Sequence, residues 1–384
     1  MTTTTISPAI HQILPPIRAR REEIEQARRL PSDIAESLRR TRLFALSIPR
    51  AIGGDEATPL ELMRTIHDIA ATDGSTGWCA MVGLGNNVAA GYMPESGARE
   101  VFADPTAPMA GIAAPAGAAT RVDGGVRVSG RWPFASGITH ASWLWAGCLV
   151  MENGKPRMTP HGPDILHVCM PVGDVEVHDT WYVSGLCGTG SHDFSATDVF
   201  IPEHRTFRLL DPAGHRMEPL YQVPPLPLFV FQVACVGLGI ARAALDELHA
   251  PAQTRVPTLY SSVLADKAVA HVEVARAEVA LRSARALLFE TVEEIWDGVT
   301  RGDAPSGRLI ALGRAAATHA AETGAEVTRT ISRLAGGTAI YSSSSFQRHA
   351  RDAGAVAQHF TMSPHTWEEA GRVFLGRETL VPVF

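Results

Sequence analysis

The spacing of apolar and polar positions changes twice along the chain and divides it into three stretches. Over residues 1–108 the apolar positions recur at helical spacing. The pattern predicts a charged helix over 18–29, a helix over 33–42 opened by Ser32 as N-cap, and a helix over 60–72 opened by Thr58. Pro49-Arg50-Ala51-Ile52-Gly53-Gly54 is a Pro/Gly loop between the last two. A helix of small residues follows over 75–92. From Met109 the period drops to two. Asp123-Gly124-Gly125 between Thr120-Arg121-Val122 and Val126-Arg127-Val128 predicts a β-hairpin. Further strands are predicted over 142–151, 165–170, 175–181 and 192–201, with Asn153-Gly154 and residues 171–173 as breaks. After the proline-rich run at 223–227 the helical period returns and persists almost to the end. The longest predicted helix spans 258–300. Its Leu264, Ala268, Val272, Ala275 and Val279 recur every three or four positions, a stripe predicted to face other helices. Helices are also predicted over 308–334, stopped by Gly336-Gly337, and over 346–358 and 364–375. The expected class is α+β, with an N-terminal helical domain at 1–108, a central β domain at 109–212 and a C-terminal helical bundle at 213–384.

Composition narrows the picture. A chain of 384 residues, 45% apolar and 19% charged, is globular, with interior enough for a cofactor. A net charge of -6 without a basic run speaks against a nucleic-acid partner and against a polybasic membrane patch. Cys79, Cys148, Cys169, Cys187 and Cys235 are scattered and odd in number, which predicts reduced thiols. Residues 1–16 lack a basic leader followed by an apolar run, and no stretch reaches roughly 18 uninterrupted apolar residues. The expectation is a cytoplasmic protein with no membrane partner. No cluster has metal-ligand spacing; His359 with His365 is a poor pair, and no metal is expected. Gly83-Leu84-Gly85 and Gly237-Leu238-Gly239 lie in helical patterns, so neither predicts a nicotinamide site.

Several motifs carry a resemblance that covers the whole chain. Residues 43–54 are similar to a P-x-x-x-G-G loop, and Asp73-Gly74-Ser75-Thr76-Gly77-Trp78 to a helix junction, of the acyl-CoA dehydrogenase superfamily. Val128-Ser129-Gly130-Arg131-Trp132-Pro133-Phe134-Ala135-Ser136-Gly137 resembles the family's flavin-lining strand. Gly185-Leu186-Cys187-Gly188-Thr189-Gly190-Ser191-His192-Asp193-Phe194 resembles the GLRGTGSHDF of its two-component monooxygenase branch, with Cys187 where Arg is common. The resemblance implies an acyl-CoA dehydrogenase-like fold ending in a four-helix bundle. It also implies flavin contacts from Trp132, Phe134, Ala135 and Ser136, and a homotetramer in which Arg255, Gly336 and Gly337 reach the phosphates of a neighbour's flavin. Guanidinium binds phosphate bidentately and glycine admits close backbone approach, so the residue types suit that role.

Desaturation on this fold uses a carboxylate base, yet Arg351-Asp352-Ala353-Gly354-Ala355-Val356-Ala357-Gln358-His359-Phe360 offers none after Asp352. His359 instead stands where the monooxygenase branch places a catalytic histidine, as base or as partner of a flavin hydroperoxide. Ser136 matches that branch's serine, a donor to the peroxide or to N5. His140 follows at loop distance as a third candidate. Asn86 and Asn87 stand where several relatives carry another histidine. The implied activity is oxygenation of a small aromatic or heteroaromatic substrate by reduced flavin (FADH2 or FMNH2) and O2, with the flavin delivered by a separate reductase. An FAD-dependent acyl-CoA dehydrogenase or oxidase with its base elsewhere, and a non-catalytic scaffold, stay open. Plainer readings stand beside these: Trp132 and Phe134 as β-domain core, Arg255 as a solvated charge, Gly336-Gly337 as a helix stop, His140 as a loop residue, and Arg351 with Asp352 as an ion pair.

Overall fold

A computed structural model of the chain describes residues 7–160, 162–211, 216–258 and 261–380. Residues 1–6 of the leader reading and 259–260 of the predicted 258–300 helix lie outside them. The chain begins with α1 (Pro8–Ala19), α2 (Arg21–Ala27), α3 (Ser32–Arg40), α4 (Pro59–Ala70), α5 (Gly74–Asn87) and α6 (Glu95–Val101). Thr58 opens α4 with a reciprocal capping box: its hydroxyl accepts from the Glu61 N–H, and the Glu61 carboxylate accepts from the Thr58 N–H at 2.8 Å. Asp73 opens α5 by accepting from the Thr76 N–H at 2.7 Å. Ser32 is not the cap of α3. Pro31 takes that place with φ fixed at -54°, and Ser32 is already helical.

The middle of the chain forms β1 (Met109–Val122), β2 (Gly125–Ala135), β3 (Trp143–Glu152), β4 (Lys155–Pro156), β5 (Met158–Thr159), β6 (Gly162–Pro163), β7 (Ile165–Pro171), β8 (Glu176–His178), β9 (His192–Pro202) and β10 (Thr206–Phe207). Their sheet runs β10-β7-β3-β1-β2-β9-β8, with β4 on the flank of β3 and β5-β6 paired apart. β1 and β3 are parallel; the other pairs are antiparallel. The hairpin closes at Val122 opposite Gly125, across Asp123-Gly124. The strand predicted over 175–181 shortens to β8, because the Thr180 and Trp181 N–H groups both turn to His192 Nδ1, at 3.3 and 3.4 Å, instead of to a ladder.

The last stretch is helical: α7 (Pro219–Gln222), α8 (Pro225–Thr254), α9 (Ala268–Thr300), α10 (Gly307–Ala335), α11 (Ser345–Ala357) and α12 (His365–Phe374). By length and composition α8 is apolar enough to cross a bilayer, which uninterrupted-run counting misses. However, 89% of its most apolar window is buried, against α4, α10 and α11 among others. The stripe predicted on α9 is corrected. Ala270, Ala277, Leu281, Ala284 and Leu288 face the rest of the chain, while Val272 and Val279 point away from it. The helix has two apolar faces, and the alanine-rich one permits the closer packing.

The first half of α11 is fastened by ion pairs to two other helices. Glu25 on α2 receives Arg348 at 2.5 Å and also Arg351, while Glu247 on α8 receives Arg21 at 2.5 Å and His349 at 3.0 Å. Paired this way, buried charges hold a helix in one register. Arg351 therefore pairs with Glu25 and not, as expected, with Asp352.

Candidate active site

A cavity of about 750 Å3 opens where α5, β2, the 181–191 loop, the start of α8 and the end of α11 meet. A bulge in β2 shapes one wall. Between the pairs Trp132–Phe194 and Ala135–His192, β2 carries one residue more than β9. The bulge breaks the two-residue alternation. Phe134 takes φ +65° and turns out to the cavity with its ring edge-on to Trp181 at 6.1 Å, and the next turn brings Ser136 inward.

The Ser136 hydroxyl is buried in a chain of hydrogen bonds. Trp78 Nε1 donates to Ser136 Oγ at 3.0 Å, Ser136 Oγ meets Ser191 Oγ at 2.7 Å, and Ser191 Oγ meets Thr189 Oγ1 at 2.6 Å. Thr189 Oγ1 donates to the Leu186 carbonyl at 2.9 Å. A carbonyl only accepts, so the Thr189 proton is committed there. Ser191 must then donate to Thr189, and Ser136 to Ser191. Counting protons leaves Ser136 Oγ with an open lone pair and no proton for the cavity. In this hydrogen-bond chain Ser136 is placed to accept from the cavity, where a donor was expected.

His359 stands just after α11 and lines the same cavity. Trp78 joins it to Ser136, with its ring edge-on to the imidazole at 5.6 Å. Thr361 Oγ1 lies 2.8 Å from Nδ1, and the Thr361 N–H donates to the same atom at 3.5 Å. In the tautomer whose Nδ1 accepts from the Thr361 N–H, the ring proton is on Nε2 and free to face the cavity. Burial pushes the pKa down to about 4, so the imidazole is neutral at pH 7.

The loop between these residues is anchored from behind. The Leu186 N–H donates to Asp352 Oδ1 at 2.6 Å, the Gly188 N–H to Ser75 Oγ at 3.1 Å, and Arg351 to the Ser184 carbonyl. Asp352 is fully enclosed. Burial first, against the pull of the Leu186 N–H and with help from Asp73, raises its pKa to about 7. A carboxyl raised in the folded state stabilises most below its unfolded pKa near 4, and that contribution is lost as pH rises through 7. The loss is on the order of 2–4 kcal/mol. Asp352→Asn keeps an acceptor for Leu186, so its melting temperature relative to the parent should climb between pH 5 and pH 8. A difference that stays constant over that range would mean Asp352 is already charged at pH 5.

The structure brings Ser136, Phe134 and His359 together and sets other expected residues apart. Trp132 is enclosed in the sheet's core, stacked on Phe194 at 5.0 Å, with Nε1 donating to the Gly147 carbonyl at 2.8 Å. Ala135 is buried in the same core. Neither lines the cavity. His140 packs against Gly137 outside the cavity, its pKa pushed down to about 4 by burial. Asn86 lines the cavity with Nδ2 donating to the Met109 carbonyl at 3.2 Å, whereas Asn87 turns its amide to the Phe44 and Ala107 carbonyls. Arg255 and Gly336 line a separate shallow depression with Lys267 and Arg333. Gly336 has φ +64°, and a Cβ there would lie 2.9 Å from the Arg255 guanidinium, which in turn donates to Thr338 Oγ1 at 2.8 Å. Gly337 adjoins that depression without lining it.

Trp78, Thr189 and Ser191 carry the hydroxyl chain, and the motifs quoted from the sequence contain all three without marking them. Gln232 and Trp145 also line the cavity, and nothing in their sequence context singles them out. The cavity suits a flavin ring. Its walls are mostly apolar, Phe134 and Trp181 offer aromatic surface, and a buried hydroxyl with an open lone pair matches a ring that carries N–H when reduced.

Comparison with known proteins agrees with the fold and with flavin chemistry. The family described as acyl-CoA dehydrogenase, C-terminal domain, matches residues 231–364. The chain is 35% identical over 376 residues to the indole-3-acetate monooxygenase of Pseudomonas putida, covering 97% of this chain and 95% of that protein. It is 30% identical over 386 residues to the flavin-dependent monooxygenase oxygenase subunit HsaA of Mycobacterium tuberculosis, strain H37Rv, with 97% and 95% covered. Among solved structures, XiaF from a Streptomyces species in complex with FADH2 and glycerol superimposes with a TM-score of 0.89 at 26% identity, covering 97% and 96% of the two chains.

Proposed function

The chain belongs to the acyl-CoA dehydrogenase superfamily, among its two-component flavin-dependent monooxygenases, and from that premise we propose how its own residues serve the reaction. It is the oxygenase component: it takes reduced flavin from a separate reductase and acts with O2 on a small aromatic substrate. Bound reduced flavin supplies the two electrons that activate O2, one oxygen atom going to substrate and the other to water. Ser136 Oγ, its proton committed to Ser191, accepts from the reduced ring's N–H and fixes the ring against β2. His359 keeps its proton at Nε2 and donates it as a hydrogen bond to oxygen at the reacting centre. Trp78 holds both in place. The apolar walls exclude water, which protects reactive species from hydrolysis.

The observation that carries this reading is a cavity in which Ser136 and His359 converge with no carboxylate among the described lining residues. An acyl-CoA dehydrogenase needs such a base. The indole-3-acetate monooxygenase among the relatives makes bicyclic heteroaromatics the first substrates to try. We also read the assembly as a homotetramer in which Arg255 and Gly336 of one copy hold the flavin phosphates of another. The five cysteines are all free, which fits a cytoplasmic enzyme.

The test is turnover with indole under 18O2, with reduced flavin fed by a separate NADH-dependent reductase. One labelled oxygen per product is expected, and Ser136→Ala should raise the hydrogen peroxide released per product about tenfold. Product without label, or bleaching of bound FAD by acyl-CoA thioesters, would overturn the reading.

A further inference from the structure

The cavity wall carries no formal charge. Its described lining residues include no Asp, Glu, Lys or Arg. The two that titrate, Tyr92 and His359, are both neutral at pH 7, because burial raises the first and lowers the second. A substrate carboxylate entering there would lose its water and find no counter-charge, which low-dielectric surroundings penalise heavily.

Two buried polar groups lining the cavity have no hydrogen-bond partner. Gln232 is completely enclosed, and neither its Oε1 nor its Nε2 makes a hydrogen bond. It sits in the apolar first half of α8, one turn from Phe229, where such a residue is costly unless something satisfies it. Gly85 packs directly against this part of α8: a Cβ there would come within 2.8 Å of the Phe229 ring and 3.8 Å of Gln232 Oε1. The Trp145 Nε1–H on β3 is likewise buried and unpartnered, with Gly111 beside it. An amide offers both a donor and an acceptor, and an indole offers a donor.

Resting on the oxygenase reading above, we propose that Gln232 and Trp145 form a charge-free recognition site that selects a neutral heteroaromatic substrate bearing a hydrogen-bonding substituent and rejects its carboxylate analogue. Gln232 supplies a paired donor and acceptor, as a carboxamide or a ring N–H beside a carbonyl would require, and Trp145 donates to a second acceptor. A site built from buried hydrogen-bonding groups discriminates strongly, because the wrong ligand leaves those groups unpaired. This chain would then differ in substrate charge from its relative named for indole-3-acetate.

Indole-3-acetamide and indole-3-acetate have nearly the same shape and differ in charge. Calorimetric titration of each into the purified protein, without flavin and then with reduced flavin under anaerobic conditions, reads the preference directly. The acetamide should bind at least tenfold more tightly, equivalent to about 1.4 kcal/mol. Gln232→Met, close in size, should erase most of that preference while changing indole binding little. Trp145→Phe should weaken the acetamide and spare indole less completely. Equal or tighter binding of the acetate overturns the proposal, as does a preference unchanged in Gln232→Met. Binding of neither ligand to protein that still takes up reduced flavin overturns it too, and leaves the oxygenase reading standing. Failure to bind reduced flavin defeats both.

Discussion

Replacing His359 with alanine should lower hydroxylated product about a hundredfold or more, while reduced flavin continues to be oxidised and its electrons appear as hydrogen peroxide. The imidazole lines the cavity beside Trp78, is neutral at pH 7 and, in the tautomer whose Nδ1 accepts from Thr361, carries its proton on Nε2. It is placed to donate a hydrogen bond, and a group whose pKa lies near 4 is a weak base at neutral pH. The two roles separate in His359→Gln, whose amide N–H falls close to the position of Nε2 but cannot take up a proton. A donor role predicts that the glutamine variant recovers at least a tenth of the parent's product yield. Loss as complete as in the alanine variant would restore the base. Across pH 6 to 8 the parent's yield should show no step from this residue, with the decline confined to the acid side near pH 4, where the ring becomes charged.

What could be read from the sequence, and what could not, follows from the range of the forces involved. Capping at Thr58 and the Asp123-Gly124 turn are local, set by a few neighbouring residues, and both form as predicted. Ser32 failed because Pro31 immediately before it already fixes the chain's direction. His359 and Ser136 were found only through motifs. In isolation each is a polar residue near an element's end, and their convergence depends on contacts spanning more than 200 residues. Trp132 and Phe134 show how one inserted residue defeats periodic reasoning: Trp132 enters the core on the strand's regular alternation, and the bulge just after it turns Phe134 out to the cavity. The direction of hydrogen bonding at Ser136 depends on a carbonyl fifty positions away, Leu186, reached through two other hydroxyls. Gln232 lies in a helix so apolar that a single amide does not alter the pattern, and only three-dimensional burial reveals that it has no partner.

The outward face of α9 leads to the second large effect. Val269, Val272 and Val279 are 61%, 48% and 65% exposed and follow one another along the helix. Val269 also lines the depression that holds Arg255 and Gly336, so the apolar stripe begins where the proposed phosphate contact lies. Exposed valines spaced this way fit a second copy of the chain better than water, because each valine buried at such a contact contributes about 1.5 kcal/mol or more. Placing carboxylates in it costs several kcal/mol each, since they lose water without gaining a counter-charge. The double variant Val272→Asp with Val279→Asp is therefore expected to sediment as a smaller species than the parent, which we propose to be a tetramer. It should also bind reduced flavin at least tenfold more weakly, because the neighbour's Arg255 is withdrawn. Arg255→Ala separates the two consequences: it should weaken flavin binding to a similar degree and leave the sedimentation coefficient unchanged. If the double variant remains a tetramer, α9 does not form the interface. If Arg255→Ala binds flavin as the parent does, the depression does not serve the phosphates.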